Sequence, residues 1–119
     1  MDNIYYINLD RSPDRNKAIQ EQLDKVKLKA IRVSGIDGQK LIEYPCKFHF
    51  SMFKNHVPGE LASTLSHLKA LNLAFENNDT ISLIIEDDLD FTLYKSSEST
   101  ICDIIKDAPP DWEIIQLHV

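Results

Sequence analysis

Residues Ile4-Tyr5-Tyr6-Ile7-Asn8-Leu9 put β-branched and aromatic side chains on both faces of any strand they form. A strand that is apolar on both faces has to lie inside a sheet covered by helices on each side, which is the environment of a parallel sheet. A second apolar run, Ile81-Ser82-Leu83-Ile84-Ile85, makes the same demand. The stretches between them carry helical spacing, so strands alternate with helices, and an α/β domain with right-handed crossovers follows. At 119 residues the chain reads as one domain over 1–119, large enough to bury a single core.

The local signals support that order. Asp10-Arg11-Ser12-Pro13 ends the first strand, with Ser12 suited to cap a helix and Pro13 suited to its first position. Ile19, Leu23, Val26 and Ala30 then recur at helical spacing. Residues 29–33 read as a second strand, closed by Ser34-Gly35-Ile36-Asp37-Gly38, whose two glycines permit backbone conformations that other residues resist. From 39 to 57 the pattern is irregular, with Pro45 and the aromatics Tyr44, Phe48, Phe50 and Phe53, and a connection of that length marks a functional or mobile loop. Pro58-Gly59-Glu60 opens another helix, with Leu61, Leu65, Leu68, Leu71 and Phe75 read as its core stripe, and Asn77-Asn78-Asp79 ends it. A short helix over 99–106 and a last strand over 112–117 complete the chain.

The second apolar run discharges into Glu86-Asp87-Asp88-Leu89-Asp90-Phe91, four carboxylates within five positions. Each close pair costs roughly 1 kcal/mol even in water. A hard divalent cation offsets that repulsion, and so does solvation of an ordinary turn; the stretch alone leaves both readings open. Position favours a site. In open parallel sheets, ligands bind outside the carboxyl ends of the strands where strand order reverses. The turns at 8–15, 34–38 and 86–90 each follow a predicted strand and should emerge on one edge. That edge would carry two arginines, a glycine-flanked aspartate and a carboxylate cluster. Guanidinium groups and helix N-termini suit phosphate oxygens, and carboxylates suit a bridging metal, which together describe a nucleotide-diphosphate site.

The formal net charge of −6 argues against nucleic acid or an anionic membrane as the main partner. Local positive charge is still available, because Arg11, Arg15, Lys17, Lys25, Lys27, Lys29 and Arg32 all fall in the first third. Cys46 and Cys102 lack metal-binding spacing; two reduced thiols are the simpler expectation, with a disulfide left open. No apolar run approaches the roughly 20 residues of a membrane span, and the N-terminus lacks a signal peptide's pattern, so a cytoplasmic protein without a transmembrane segment is expected.

Five segments resemble, in the same order, the N-terminal part of glycosyltransferase family 25, which includes bacterial lipooligosaccharide galactosyltransferases and collagen galactosyltransferases. They are residues 6–15 (Tyr-Ile-Asn-Leu-Asp-Arg-Ser-Pro-Asp-Arg), Gly35-Ile36-Asp37-Gly38, the run from Gly59 to His67, Ile84-Ile85-Glu86-Asp87-Asp88 and Trp112-Glu113-Ile114-Ile115. The resemblance implies a Rossmann-like, parallel-sheet nucleotide-binding half of a GT-A-type enzyme. The implied reaction transfers a sugar, most often galactose, from a UDP-sugar to a hydroxyl of a glycan or protein acceptor.

It further implies Mn²⁺ or Mg²⁺ held by Glu86, Asp88 and Asp90, with the register open between the Glu86/Asp88 and Asp88/Asp90 pairs. Asn8, Arg11, Arg15, Asp37, Ser66 and His67 would face the donor, and Asp87 or Asp90 could act catalytically where not consumed as a metal ligand. The residues themselves leave other readings open: ion pairing of Arg11 and Arg15 to Asp10 or Asp14, an ordinary turn at Asp37, and helix packing for Ser66 and His67. Family members are usually longer. A truncated N-terminal portion is therefore expected, completed by another chain, paired as a homodimer through its last strand, or surviving as an inactive remnant that binds nucleotide-sugar or serves assembly.

Overall fold

The computed structural model describes residues 1–43, 58–91 and 100–117. Its elements in chain order are strand β1 (Asn3–Asn8), helix α1 (Pro13–Lys25), strand β2 (Ile31–Ser34), a 3₁₀ helix (Gly38–Glu43), helix α2 (Pro58–Glu76), strand β3 (Ser82–Glu86) and helix α3 (Ile101–Asp107). The strands form a parallel sheet in the order β2-β1-β3. β1 is therefore central, with Tyr5 opposite Ile31 on one side and Ile84 on the other.

Successive side chains of a strand point to opposite faces, and β1 uses both. Ile4 and Tyr6 pack with Ile19 and Leu23 of α1, together with Ile85 and Phe91. Tyr5 and Ile7 pack with Val33 and with Ala70 and Ala74 of α2. This is the two-sided burial that the apolar β1 sequence requires. Ile19 retains no exposed surface, a burial worth about 1.5–3 kcal/mol. A third cluster, Ile36, Leu41, Ala62 and Leu65, seats the 3₁₀ helix on the N-terminal half of α2.

Four expectations need correction. On α2 the core face carries Ala62, Leu65, Ser66, Ala70 and Ala74, while Leu68, Leu71 and Phe75 are 52%, 48% and 82% exposed. The sheet beneath supplies the bulk in Tyr5, Ile7 and Val33, so small residues let the helix approach, and most of the leucine and phenylalanine stripe turns outward. The expected strand over 112–117 is not formed: Ile114 is 84% exposed, and among the described residues the segment pairs with none of the three strands, so its β-propensity has no partner to act on. Gly35 has no positive φ. It serves close approach instead, since a Cβ there would lie 3.1 Å from both Ile7 and Leu9 side chains. Finally, Ser12 sits at the α1 cap position without a side-chain cap bond; its carbonyl accepts from the Asn8 amide and the Asn16 N–H.

Left-handed residues end two helices, Lys27 (φ 57°) after α1 and Asn78 (φ 58°) after α2, as expected of chain reversals at helix C-termini. Cys102 is an exposed free thiol. Cys46 and the aromatic stretch 44–57 lie outside the described residues.

Candidate functional site

Strand order reverses at β1, because the chain places β2 on one side of it and β3 on the other. The three turns predicted to share an edge do so. Gly35 N–H donates to the Asn8 carbonyl at 2.9 Å, and Asp87 N–H donates to the Ile7 carbonyl at 3.1 Å, which carries the ladder past the strand ends. Over the β1/β3 junction lies a cavity of about 430 Å³ whose lining includes Arg11, Arg15, Asp37, Ser63, Ser66, Glu86 and Asp87. A second cavity of about 310 Å³ shares Arg11, Ile36 and Asp37 and adds Asp10, Ser34, Lys40 and Lys69.

Two arginine–carboxylate pairs frame the larger cavity. Arg11 Nε meets Asp37 Oδ2 at 2.7 Å, and Asp37 Oδ1 accepts the Gln39 N–H at 2.9 Å. The Gln39 N–H, followed by the Arg11 guanidinium, holds the Asp37 carboxyl below its ordinary range. Arg15 Nη2 meets Asp87 Oδ1 at 2.7 Å and Asp88 Oδ2 at 3.6 Å. Both arginine side chains are about half exposed, at 51% and 52%, whereas those of Asp37 and Asp87 are 12% and 8% exposed. The carboxylates are thus fixed, and each planar guanidinium retains further N–H donors with no partner among the described residues.

The other expected site residues fall into distinct settings. Asn8 is 1% exposed. Its amide donates to Asp87 Oδ2 at 2.6 Å and to the Ser12 carbonyl at 3.0 Å. Its oxygen accepts from Arg32 Nη2 at 2.9 Å and Nε at 3.1 Å. Ser66 is also buried; its hydroxyl donates to the Ala62 carbonyl and accepts the Ile36 N–H, tying α2 to the turn after β2. His67 Nε2 lies 3.0 Å from Glu86 Oε1, and the Ser63 hydroxyl reaches the same oxygen at 3.3 Å. Asp88 and Asp90 are exposed and lie outside the cavity lining. Among the described residues, no group of three or more His, Cys, Asp or Glu side chains converges to enclose a cation.

Sequence reasoning missed Arg32, Ser34, Asp10 and Ser63. Arg32 bonds Asp10 Oδ1 at 2.8 Å and the Asn8 carbonyl at 3.2 Å; Ser34 donates to the same Asp10 oxygen at 2.8 Å. The Arg32 and Ser34 bonds hold the Asp10 carboxyl below its ordinary range. A signal was present: Arg32 and Ser34 are two apart on a strand, hence on one face.

A family model described as glycosyltransferase family 25 (LPS biosynthesis protein) matches residues 1–118. No curated protein and no solved structure matches the chain.

Proposed function

Because the chain belongs to glycosyltransferase family 25, we propose that it transfers a sugar, galactose first among the candidates, from a UDP-sugar to a hydroxyl of a glycan or protein acceptor. The diphosphate is assigned to the cavity between β1 and β3, and the domain to the Rossmann-like nucleotide half of a GT-A enzyme. One observation carries this reading. Arg11 and Arg15 stand at the point of strand reversal, each anchored through one nitrogen and each with donors that meet no other described residue. Breaking the sugar–phosphate bond builds negative charge on the departing diphosphate, and prepositioned charge-assisted donors stabilise it without reorganisation.

The residues present fit a hard divalent cation only in an open form. There one or two carboxylates hold the ion, and diphosphate oxygens and water complete its shell. Of the expected ligands only Glu86 lines the cavity, with Asp88 and Asp90 exposed outside it, so Glu86 with Asp88 would hold Mn²⁺ or Mg²⁺ nearest the diphosphate, and Asp88 with Asp90 would hold it farther out. When bound, the ion neutralises charge on the leaving group. The remaining work belongs to the chain. Asp37 and Asp87 aim the arginines, Ser66 fixes the turn that carries Asp37, and His67 with Ser63 orients Glu86 at the cavity wall. Neither oxygen of Asp87 is free of a protein partner, so we assign it to anchoring rather than proton transfer.

Calorimetric titration of UDP into the 119-residue chain, with and without Mn²⁺, tests the reading. Saturable binding that the Asp88→Ala, Asp90→Ala double variant weakens supports it. A folded chain that binds no UDP under either condition overturns it. Binding without transfer to any screened sugar acceptor would identify a donor-binding module instead of an enzyme.

A further inference from the structure

Arg32 lines neither cavity, yet it begins a line of contacts that ends at the larger one. From β2 its Nε and Nη2 donate to Asn8 Oδ1. From β1 the Asn8 Nδ2 donates to Asp87 Oδ2 at 2.6 Å. From the end of β3 the Asp87 Oδ1 holds Arg15 Nη2 at 2.7 Å. The line crosses all three strands and reaches α1.

Its direction is fixed by chemistry at each joint. A guanidinium only donates and a carboxylate only accepts, so an amide between them has one allowed orientation, oxygen toward Arg32 and nitrogen toward Asp87. A flip would set oxygen against carboxylate and N–H against guanidinium. Asn8 and the Asp87 side chain are 1% and 8% exposed, so water is a poor substitute for a lost partner, and a broken joint leaves a buried polar group unmatched.

We propose that Arg32 is a positioning residue for the donor site: through Asn8 and Asp87 it sets the aim of the Arg15 guanidinium. The proposal rests on the reading that UDP occupies the larger cavity. Arg32 also bonds Asp10 Oδ1 at 2.8 Å and the Asn8 carbonyl at 3.2 Å, but the route by which it acts on the larger cavity runs through Asn8, Asp87 and Arg15.

Two substitutions separate positioning from charge. Gln places its Nε2 where Arg has Nε, so Arg32→Gln can keep the 3.1 Å bond to Asn8 Oδ1 while losing the cation. Arg32→Lys keeps the cation and has no nitrogen at that position. Calorimetric UDP affinity is measured for both, for Arg15→Ala, and for the Arg15→Ala, Arg32→Lys pair, with thermal melts confirming that each chain is folded at the working temperature. Arg32→Lys should weaken UDP roughly tenfold, a coupling typical of side chains in one network. Arg32→Gln should stay within about threefold of the parent chain, since one of the two bonds to Asn8 Oδ1 remains to fix the amide orientation although the 2.9 Å Nη2 bond is lost. In the Arg15→Ala background, Arg32→Lys should change affinity by less than about twofold, because the route is already cut.

The proposal is overturned if Lys preserves affinity and Gln does not, which would make Arg32 a source of long-range attraction. It is also overturned if the losses at 15 and 32 multiply independently. A parent chain that binds no UDP defeats the donor reading itself, a result distinct from either of these.

Discussion

β1 ends in a polar network at both extremities, and the two networks differ in what holds their carboxylates. At the N-terminal end, Asp79 accepts from Asn3 and Tyr5 at 2.6 Å each and from Ser82 at 2.9 Å. Asn77 donates to the Tyr5 hydroxyl, and Asp2 takes the backbone N–H groups of Thr80 and Ile81. Every one of those donors is neutral. At the C-terminal end, Asp10, Asp37 and Asp87 are held by the guanidinium groups of Arg32, Arg11 and Arg15. Neutral donors there saturate a carboxylate and close the structure; a guanidinium fork does the same with one or two N–H groups and keeps others for an incoming anion. A buried polar cluster is therefore no sign of a site by itself. Spare donors beside a cavity are.

Arg15→Ala tests this most severely. Losing a charge-assisted contact to the diphosphate should weaken UDP by about tenfold to a hundredfold, measured by calorimetry, and the melting temperature should fall by a few degrees as well, because the nearly buried Asp87 carboxylate loses its cationic partner. Asp79→Ala should cost stability alone. It strands the hydroxyl of Tyr5, which has no exposed surface, so the melting temperature should drop by several degrees with UDP affinity within about twofold of the parent. If Asp79→Ala weakened UDP as much as Arg15→Ala, the two ends would not be separable.

Much of this division was legible in the sequence. Apolar faces on both sides of residues 4–9 demanded a central strand, and the parallel topology then brought Arg11, Arg15, Asp37 and Glu86 to one edge. The α2 face was misread because a leucine stripe is a statement about hydrophobicity, while the choice of face was made by volume: Ala70 and Ala74 fit over Tyr5 and Ile7. The role of Asn8 was hidden for a related reason. A buried amide in a strand-end motif looks like a ligand contact until its partners are known, and here the partners of its side chain are protein groups from β2, the turn after β3 and the turn before α1.

Acid should distinguish the ends next, with a smaller effect. The Tyr5 hydrogen bond, followed by those of Ser82 and Asn3, depresses the Asp79 carboxyl, while burial and the Asp79 contact push the Tyr5 phenol up. A carboxyl whose folded pKa lies below its unfolded value stabilises the fold above the unfolded pKa, and that contribution disappears as pH falls through the folded one. Melts taken from pH 6 down to about pH 3 should show a shallower acid loss for Asp79→Asn than for the parent. Asp37→Asn should also flatten the acid limb, since its carboxyl is depressed too. Part of the Asp37 contribution comes from a half-exposed arginine, however, so added salt should shrink it and leave that of Asp79 nearly unchanged.

The smallest effect is expected at Ser63, and it tests whether the C-terminal network tolerates loss. The Ser63 hydroxyl shares Glu86 Oε1 with His67, at 3.3 Å against 3.0 Å, and both it and Glu86 are exposed. Removing the longer bond leaves the shorter in place, and water can reach the vacated position. Ser63→Ala should therefore shift stability by no more than about 0.5 kcal/mol and UDP affinity by less than about twofold. His67→Ala, which removes the closer partner, should cost more than Ser63→Ala in affinity. A large loss from Ser63→Ala alone would mean that Glu86 is held as tightly as Asp79 is at the other end, and the contrast between a closed network and an open one would not hold at β3.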